Sequence, residues 1–497
     1  MNALKYLTIG VIALNIAACS KSSSKSTAPS EPAIAAKYQG IWQASGYGDA
    51  MKVSENKVSF YKYSTDYCFL ENSADDVETS DIEQGYKLLD GTSLEEVTGN
   101  GTMSFSAPGV VFSKVSTLPS SCVSNLTSQK GEANYSKDYE LDLAVFHQFF
   151  KEYYFDFETK SVDIDVLYQE TSQKILAGTN EFELAEIMMS MVEPLKDGHV
   201  EIAINDDAVL RAFNKPLLTE VFVKEYAELN NLPFPIPAEQ VDLNELSSYI
   251  VSMIELQWEL VTDYAPSESA IKTAAGGLIR WFENEGIGYL YIGAMTGYAE
   301  ETDDLSDVEV AQKALDNLDA TLEQALSDLS QTQGLILDIR TNGGGQDFIS
   351  LAIASRFAAS DNIHVYSKQA RDGDARTALV DVHVSPRGNT KYLSPVVLLT
   401  SNNTVSGAEV FTMAMKQFSN VTIVGEATQG SFSDVLNFPL PNGFEIGLSN
   451  EFYLTPQGDW YEHVGVPVDI EVPFFTIEQR EEGVDLGIET AFDVLSQ

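Results

Sequence analysis

Apolar residues are spaced in three different ways along the chain. From Tyr38 to about Lys130 they sit in short runs: Lys52–Ser54, Lys57–Tyr63, Tyr86–Leu89, Thr102–Phe105 and Val110–Phe112. Gly-Asp, Asp-Gly and Gly-Asn-Gly fall between them. Brief runs bounded by turn residues predict a small antiparallel β domain over 37–135. From Tyr139 to about Glu283 the spacing lengthens to three or four residues. Leu141, Val145, Phe149 and Tyr153-Tyr154 recur on one helical face, and Phe182–Val192 and Leu246–Leu260 repeat the pattern. Phe234-Pro235-Ile236-Pro237 interrupts it. This periodicity predicts a helical domain over 136–285, with its aromatic and Met stripes serving as core.

Beyond Gly286 the pattern changes again. Gly286–Gly293, Gly334–Ile339, Pro395–Thr400 and Val421–Val424 are nearly continuous apolar runs. Between them lie an acidic amphipathic stretch ending near Leu329 and two helical stretches, Asp347–Ala358 and Ser406–Phe418. Apolar strands alternating with helices predict an α/β layer with both faces of its sheet covered, over 286–477. Residues 478–497 read as a tail helix. No internal repeat is evident.

A length of 497 residues, 44% of them hydrophobic, fits a globular chain of more than one domain. Thirty Lys+Arg against 74 Asp+Glu leave a net charge of −44, which repels phosphate backbones and argues against a nucleic-acid partner. The first residues read as an export signal over 1–18: Lys5, an apolar run from Tyr6 to Ala18, then Cys19. Ala17-Ala18-Cys19 resembles a bacterial lipobox, which implies lipidation at Cys19 and a membrane partner. Residues 19–36 then form a flexible tether. The expected place is the outer membrane, facing periplasm or cell surface. Cys68 and Cys122 are expected to pair as a disulfide in that oxidising compartment. No metal and no cofactor are expected.

Chemistry concentrates in the third region. Asn342-Gly343-Gly344-Gly345 follows a strand and precedes a helix, where glycine exposes backbone N–H groups to an anion. The spacing is not that of a phosphate-binding fingerprint, so the run is either a plain turn or an oxyanion cradle. Ser406 opens a helix after a strand, and it is either an N-cap or a nucleophile. The chain has five His (147, 199, 364, 383 and 463), each a structural residue unless a partner marks it as a base.

The motifs Leu337–Gly345, Thr404–Glu409 and Gly425–Gly430, followed by Tyr453–Asp459 and Gly465–Asp469, resemble one superfamily. It comprises the C-terminal processing peptidases, the tricorn core and the interphotoreceptor retinoid-binding proteins. The resemblance covers roughly 285–475 and, more loosely, Lys196–Val200. It implies a crotonase/ClpP-like α/β catalytic core and, for the processing peptidases, usually a PDZ domain. Between His199 and Gly286 the chain shows no Gly-Leu-Gly-Phe-like loop and no run of short strands, but mainly helix. The core is therefore expected behind a helical domain, with no PDZ domain evident. Position by position, Ser406 matches the nucleophile, and the backbone N–H groups of Gly344, Gly345 and Gly407 match the oxyanion hole. The lysine-using branch has Lys where this chain has Ser431, so a Ser–Lys dyad is not expected. The tricorn-like branch implies His199 as base and Glu462 as its orienting carboxylate, with Ser431 as a supporting hydroxyl. The expected activity is peptide-bond hydrolysis through a Ser406 acyl-enzyme. Two rivals stand beside it: a catalytically silent relative binding apolar ligands or peptides, and a crotonase-type acyl-CoA enzyme.

Overall fold

The computed structural model describes residues 34–97, 107–124, 126–205, 208–211, 213–237, 240–300 and 307–496. The expected export signal, Cys19, most of the tether and the Thr102–Phe105 run lie outside the described residues.

A seven-stranded sheet organises the C-terminal half. Across it, in chain order, run Lys272–Ala274, Ile279–Asn284, Ile287–Ile292, Gly334–Asp338, Val396–Thr400, Val421–Gly425 and Ile470–Glu471. The first three pair antiparallel, and every later pairing is parallel. Gly334–Asp338 and Val396–Thr400 are buried at every position, which explains why they show no polar alternation. Leu290, Leu335, Leu337 and Leu398 pack on one face against the helices Asp307–Asp328, Asp347–Ala354 and Gly407–Met415. Tyr289, Ile336, Val397 and Val424 pack on the other, against Val261 and the helix Leu486–Leu495. Parallel strands deliver the segments that follow them to one edge of the sheet. That edge therefore receives the loops after Asp338, Thr400 and Gly425.

The stretch expected to be a helical domain is not one. Helices Tyr139–Tyr153, Glu181–Val192, Leu218–Leu229 and Leu243–Thr262 are present. Between them, however, Glu201–Asn205 and Ala208–Arg211 form a hairpin that pairs with Glu445–Ser449 of the C-terminal half. The aromatic face of Tyr139–Tyr153 packs on the same unit, with Phe149 stacked on Phe438 at 4.3 Å. The correction has a plain cause. Helical spacing reports which face is buried, not which partner buries it, and the partner here lies far along the chain.

The N-terminal region is a seven-stranded antiparallel sheet running spatially from Cys68–Asp75 to Tyr86–Leu88. Trp42, Met51, Val58, Leu94 and Phe112 form its core. Cys68 is disulfide-bonded to Cys122.

Candidate active site

Ser406 lies in the turn between Val396–Thr400 and the helix Gly407–Met415, at φ 57° and ψ −125°. A positive φ on a residue with a side chain costs about 1–3 kcal/mol and persists only where the surroundings over-determine it. Here they do. The Ser406 N–H donates to the Ser431 carbonyl oxygen and to Glu409 Oε2, both at 3.1 Å. Its carbonyl oxygen accepts from the N–H groups of Glu409 and Val410 at 2.7 and 3.1 Å. The preceding residue, Val405, donates its N–H to the carbonyl oxygen of Asn342 at 3.1 Å.

That last bond ties the serine turn to the glycine run. Gly344 and Gly345 adopt φ of 95° and 137°, and Gly344 is pressed directly onto the serine. A Cβ on Gly344 would lie 2.5 Å from the Val405 carbonyl oxygen and 2.8 Å from Ser406 Cβ, and one on Gly407 would lie 2.7 Å from the Gly345 carbonyl oxygen. Only hydrogen fits at these contacts. The three expected oxyanion donors are not equivalent. The Gly344 N–H is already used, donating to Asn342 Oδ1 at 2.9 Å. Among the described residues the N–H groups of Gly345 and Gly407 have no acceptor. Gly407 is the first residue of its helix, where N–H groups are unpaired and the dipole favours negative charge.

A residue singled out only as part of a motif holds this arrangement together. Glu409 is fully buried. Its Oε1 accepts from Thr428 Oγ1 at 2.6 Å and the Gly430 N–H at 2.7 Å, and its Oε2 accepts from the N–H groups of Ser431 and Ser406 at 2.8 and 3.1 Å. One carboxyl thus fastens the serine turn to the 428–431 loop. Burial pushes it up to about 7, with the hydrogen bonds pulling the other way.

His199 and Glu462 are both buried, yet no hydrogen bond joins either to Ser406, or one to the other, among the described residues. Glu462 Oε2 accepts from the Phe432 N–H at 3.0 Å, while Glu462 Oε1, His199 Nδ1 and Ser431 Oγ are buried without partners. Burial drives Glu462 well above the usual carboxyl range, and Asp197 and Glu409 add to it. Burial likewise lowers His199.

A lysine reaches this loop from a segment that nothing in the sequence marked. Lys215 Nζ donates to the carbonyl oxygens of Thr428 at 2.6 Å and Val464 at 3.1 Å, and its own N–H donates to Gln429 Oε1 at 3.2 Å. Burial lowers its ammonium. Arg340, which precedes the glycine run, is structural. It is buried between Asp338 Oδ2 at 2.6 Å and Asp485 Oδ1 at 2.7 Å.

Residues 286–472 match Peptidase family S41. The chain is 27% identical over 171 residues to a chloroplastic C-terminal processing peptidase of Tetradesmus obliquus, covering 34% of this chain and 35% of that protein. It is 25% identical over 142 residues to the carboxy-terminal processing protease CtpB of Bacillus subtilis, covering 29% and 28%. The chain thus spans about a third of the length of the curated relatives it matches. Among solved structures, a candidate peptidase from Parabacteroides merdae superimposes with a TM-score of 0.54 at 24% identity, over 72% of this chain and 97% of that one.

Two expectations are corrected by these matches. The fold is that of the S41 peptidases, not a crotonase/ClpP-like core behind a helical domain and without a PDZ domain. A strand–helix alternation is common to both folds, so the apolar pattern could not separate them. The Ser406–His199–Glu462 triad is also withdrawn. S41 peptidases work through a serine–lysine dyad, and the geometry leaves the histidine and glutamate unconnected to the serine. The expectation against a dyad rested on position 431 alone, where the chain has serine.

Proposed function

We propose, from the membership of residues 286–472 in peptidase family S41, that this chain is a serine-type peptidase with Ser406 as its nucleophile. The observation that carries the reading is the strained φ of Ser406 beside the N–H groups of Gly345 and Gly407, which have no acceptor among the described residues. Ser406 Oγ would add to a peptide carbonyl carbon while a base takes its proton. The developing oxyanion would lie on the two N–H groups. The proton would then pass to the leaving amine, and water would release the acyl-enzyme. Within serine–lysine chemistry the base is an amine held neutral. Lys215 is the candidate amine because its Nζ is hydrogen bonded to the 428–431 loop. To take the Ser406 proton it would have to leave the carbonyl oxygens of Thr428 and Val464. The substrate is a peptide or protein, as for the relatives named above.

Fluorophosphonate labelling of the purified full chain, with the adduct mapped by mass spectrometry, tests this directly. The adduct is expected on Ser406, absent in Ser406→Ala, and at least about a hundredfold slower in Lys215→Met. His199→Ala is expected to label within a few-fold of wild type; loss in His199→Ala with retention in Lys215→Met would reject Lys215. We also propose that the chain is exported to the cell envelope and anchored through Cys19. The 1–18 pattern and the Cys68–Cys122 disulfide support this. Cys19→Ala should move the protein from the membrane fraction to the soluble one.

A further inference from the structure

The first turn of the β domain is hydrogen bonded to the half of the chain that carries the candidate site. It joins Gly40–Ala44 to Asp49–Val53 and reads Ser45-Gly46-Tyr47-Gly48. Both glycines have positive φ, 81° and 67°. A Cβ on Gly46 would lie 2.8 Å from the Arg371 carbonyl oxygen, and one on Gly48 would lie 2.7 Å from that of Tyr63. The turn is therefore seated by backbone contact on the catalytic half and on its own sheet at once. The Gly46 N–H donates to Asp372 Oδ1 at 3.2 Å, and its carbonyl oxygen accepts from Asn450 Nδ2 at 3.0 Å. Between the glycines, the Tyr47 hydroxyl donates to the carboxylate of Glu451.

Glu451 is 1% exposed. Its two oxygens also accept from Lys368 Nζ at 3.1 and 3.0 Å, and the same ammonium lies 3.7 Å from Asp434. Among the described residues no other cation lies within ion-pair distance of Glu451 or Asp434. The N–H groups of Asn450 and Glu451 both donate to Ser433 Oγ at 3.0 Å. Residues 433–434 are thus held from this side by a side chain and an ion pair. They continue directly from Ser431, whose carbonyl oxygen accepts the Ser406 N–H and whose N–H donates to Glu409. One short segment is gripped by the serine turn at one end and by the Tyr47 relay at the other.

We propose that Tyr47 is a positioning residue for Ser406. Through Glu451 and Lys368, the β domain fixes the 431–434 segment to which the nucleophile's turn is hydrogen bonded. This rests on the reading of Ser406 as nucleophile. The competing view makes Tyr47 only a packing residue between the two halves, since its ring touches the cores of both. The hydroxyl separates the two views, because Phe at position 47 keeps the ring contacts and removes only the donor to Glu451. Displacements of an ångström near a reacting group cost up to about a hundredfold in rate, so loosening the relay should be visible in kinetics before it is visible in folding.

The experiment measures the second-order rate of fluorophosphonate labelling at Ser406, and the melting temperature, for the full chain. Four forms are compared: wild type, Tyr47→Phe, Asp434→Asn and Trp42→Phe. Trp42 lies in the β-domain core and takes no part in the relay. Labelling slowed about tenfold in Tyr47→Phe and Asp434→Asn, but not in Trp42→Phe, is expected. Unchanged labelling in folded Tyr47→Phe overturns the proposal, as does equal slowing in Trp42→Phe, which would report domain stability alone. Should Tyr47→Phe fail to fold, Asp434→Asn decides by the same criterion. A wild type that labels normally while the variants match it sinks the positioning role only. A wild type with no adduct at Ser406 sinks both that role and the peptidase reading.

Discussion

At Gly407, exchanging hydrogen for a methyl group would favour the helix by up to about 1 kcal/mol, because glycine loses more backbone freedom on ordering. That methyl would also lie 2.7 Å from the Gly345 carbonyl oxygen, and the neighbour it meets is backbone, which cannot swing aside. Gly407→Ala should therefore lower the melting temperature and part the two loops that supply the oxyanion donors. A loss of about a hundredfold or more in labelling or turnover is expected, the scale for losing one donor. Equal rates for Gly407→Ala and wild type would remove these N–H groups from the chemistry. Glu409 acts at the same scale. Its carboxyl engages four groups that belong to two stretches of chain, the serine turn and the 428–431 loop, so its influence on Ser406 is positional.

Among the elements, the C-terminal helix Leu486–Leu495 is tied to the central sheet by one carboxylate. Asp485 Oδ1 accepts from the Ile488 N–H at 3.0 Å, capping the helix, and from Arg340 Nη1 at 2.7 Å. Arg340 is 2% exposed, so removing its partner leaves a buried charge half-compensated. Such losses cost about 3–5 kcal/mol, more than the ~1 kcal/mol of a cap alone. Asp485→Ala should lower stability by about that larger amount in urea unfolding, and a loss near ~1 kcal/mol would mean that only the cap matters. Because Arg340 leads into the glycine run, loosening of this helix is expected to reach the site through Asp338.

For the molecule as a whole, acidity sets the response to pH. Glu96, Asp142, Asp347, Glu409 and Glu445 are all pushed up to about 7, burial being the largest cause in each. Between their ordinary values near 4 and about 7, the folded chain binds more protons than the unfolded one. Stability from these groups is therefore fully present at the acid end of that window and is lost as pH rises through about 7. Self-repulsion from a net charge of −44 acts in the same direction. Glu323, lowered to about 2 chiefly by hydrogen bonds from Thr390, works oppositely, but its contribution is lost only as pH falls below about 4.5. The melting temperature should fall between pH 5 and 8 at fixed ionic strength. A steady rise across that range would contradict the assignment of these carboxyls as protonated in the folded state.

What the sequence determined by itself was local. Apolar runs place the strands at Gly334–Asp338 and Val396–Thr400, because burial on both faces demands unbroken hydrophobicity. Glycine at 344 and 345 and serine at 406 announce a strand–turn–helix site and its family, because backbone geometry within a few residues dictates those residue types. The family resemblance could not choose the base, since that depends on which side chain arrives from elsewhere. Lys215 docks on the carbonyl oxygens of Thr428 and Val464, and among the described residues no hydrogen bond joins His199 or Glu462 to Ser406. Nor could spacing reveal the hairpin at 201–211 pairing with Glu445–Ser449, or Tyr47 bonding Glu451 at a separation of 404 residues. Local propensity acts over a turn or a strand. Contacts between distant segments are settled only when packing brings their buried donors and acceptors within reach.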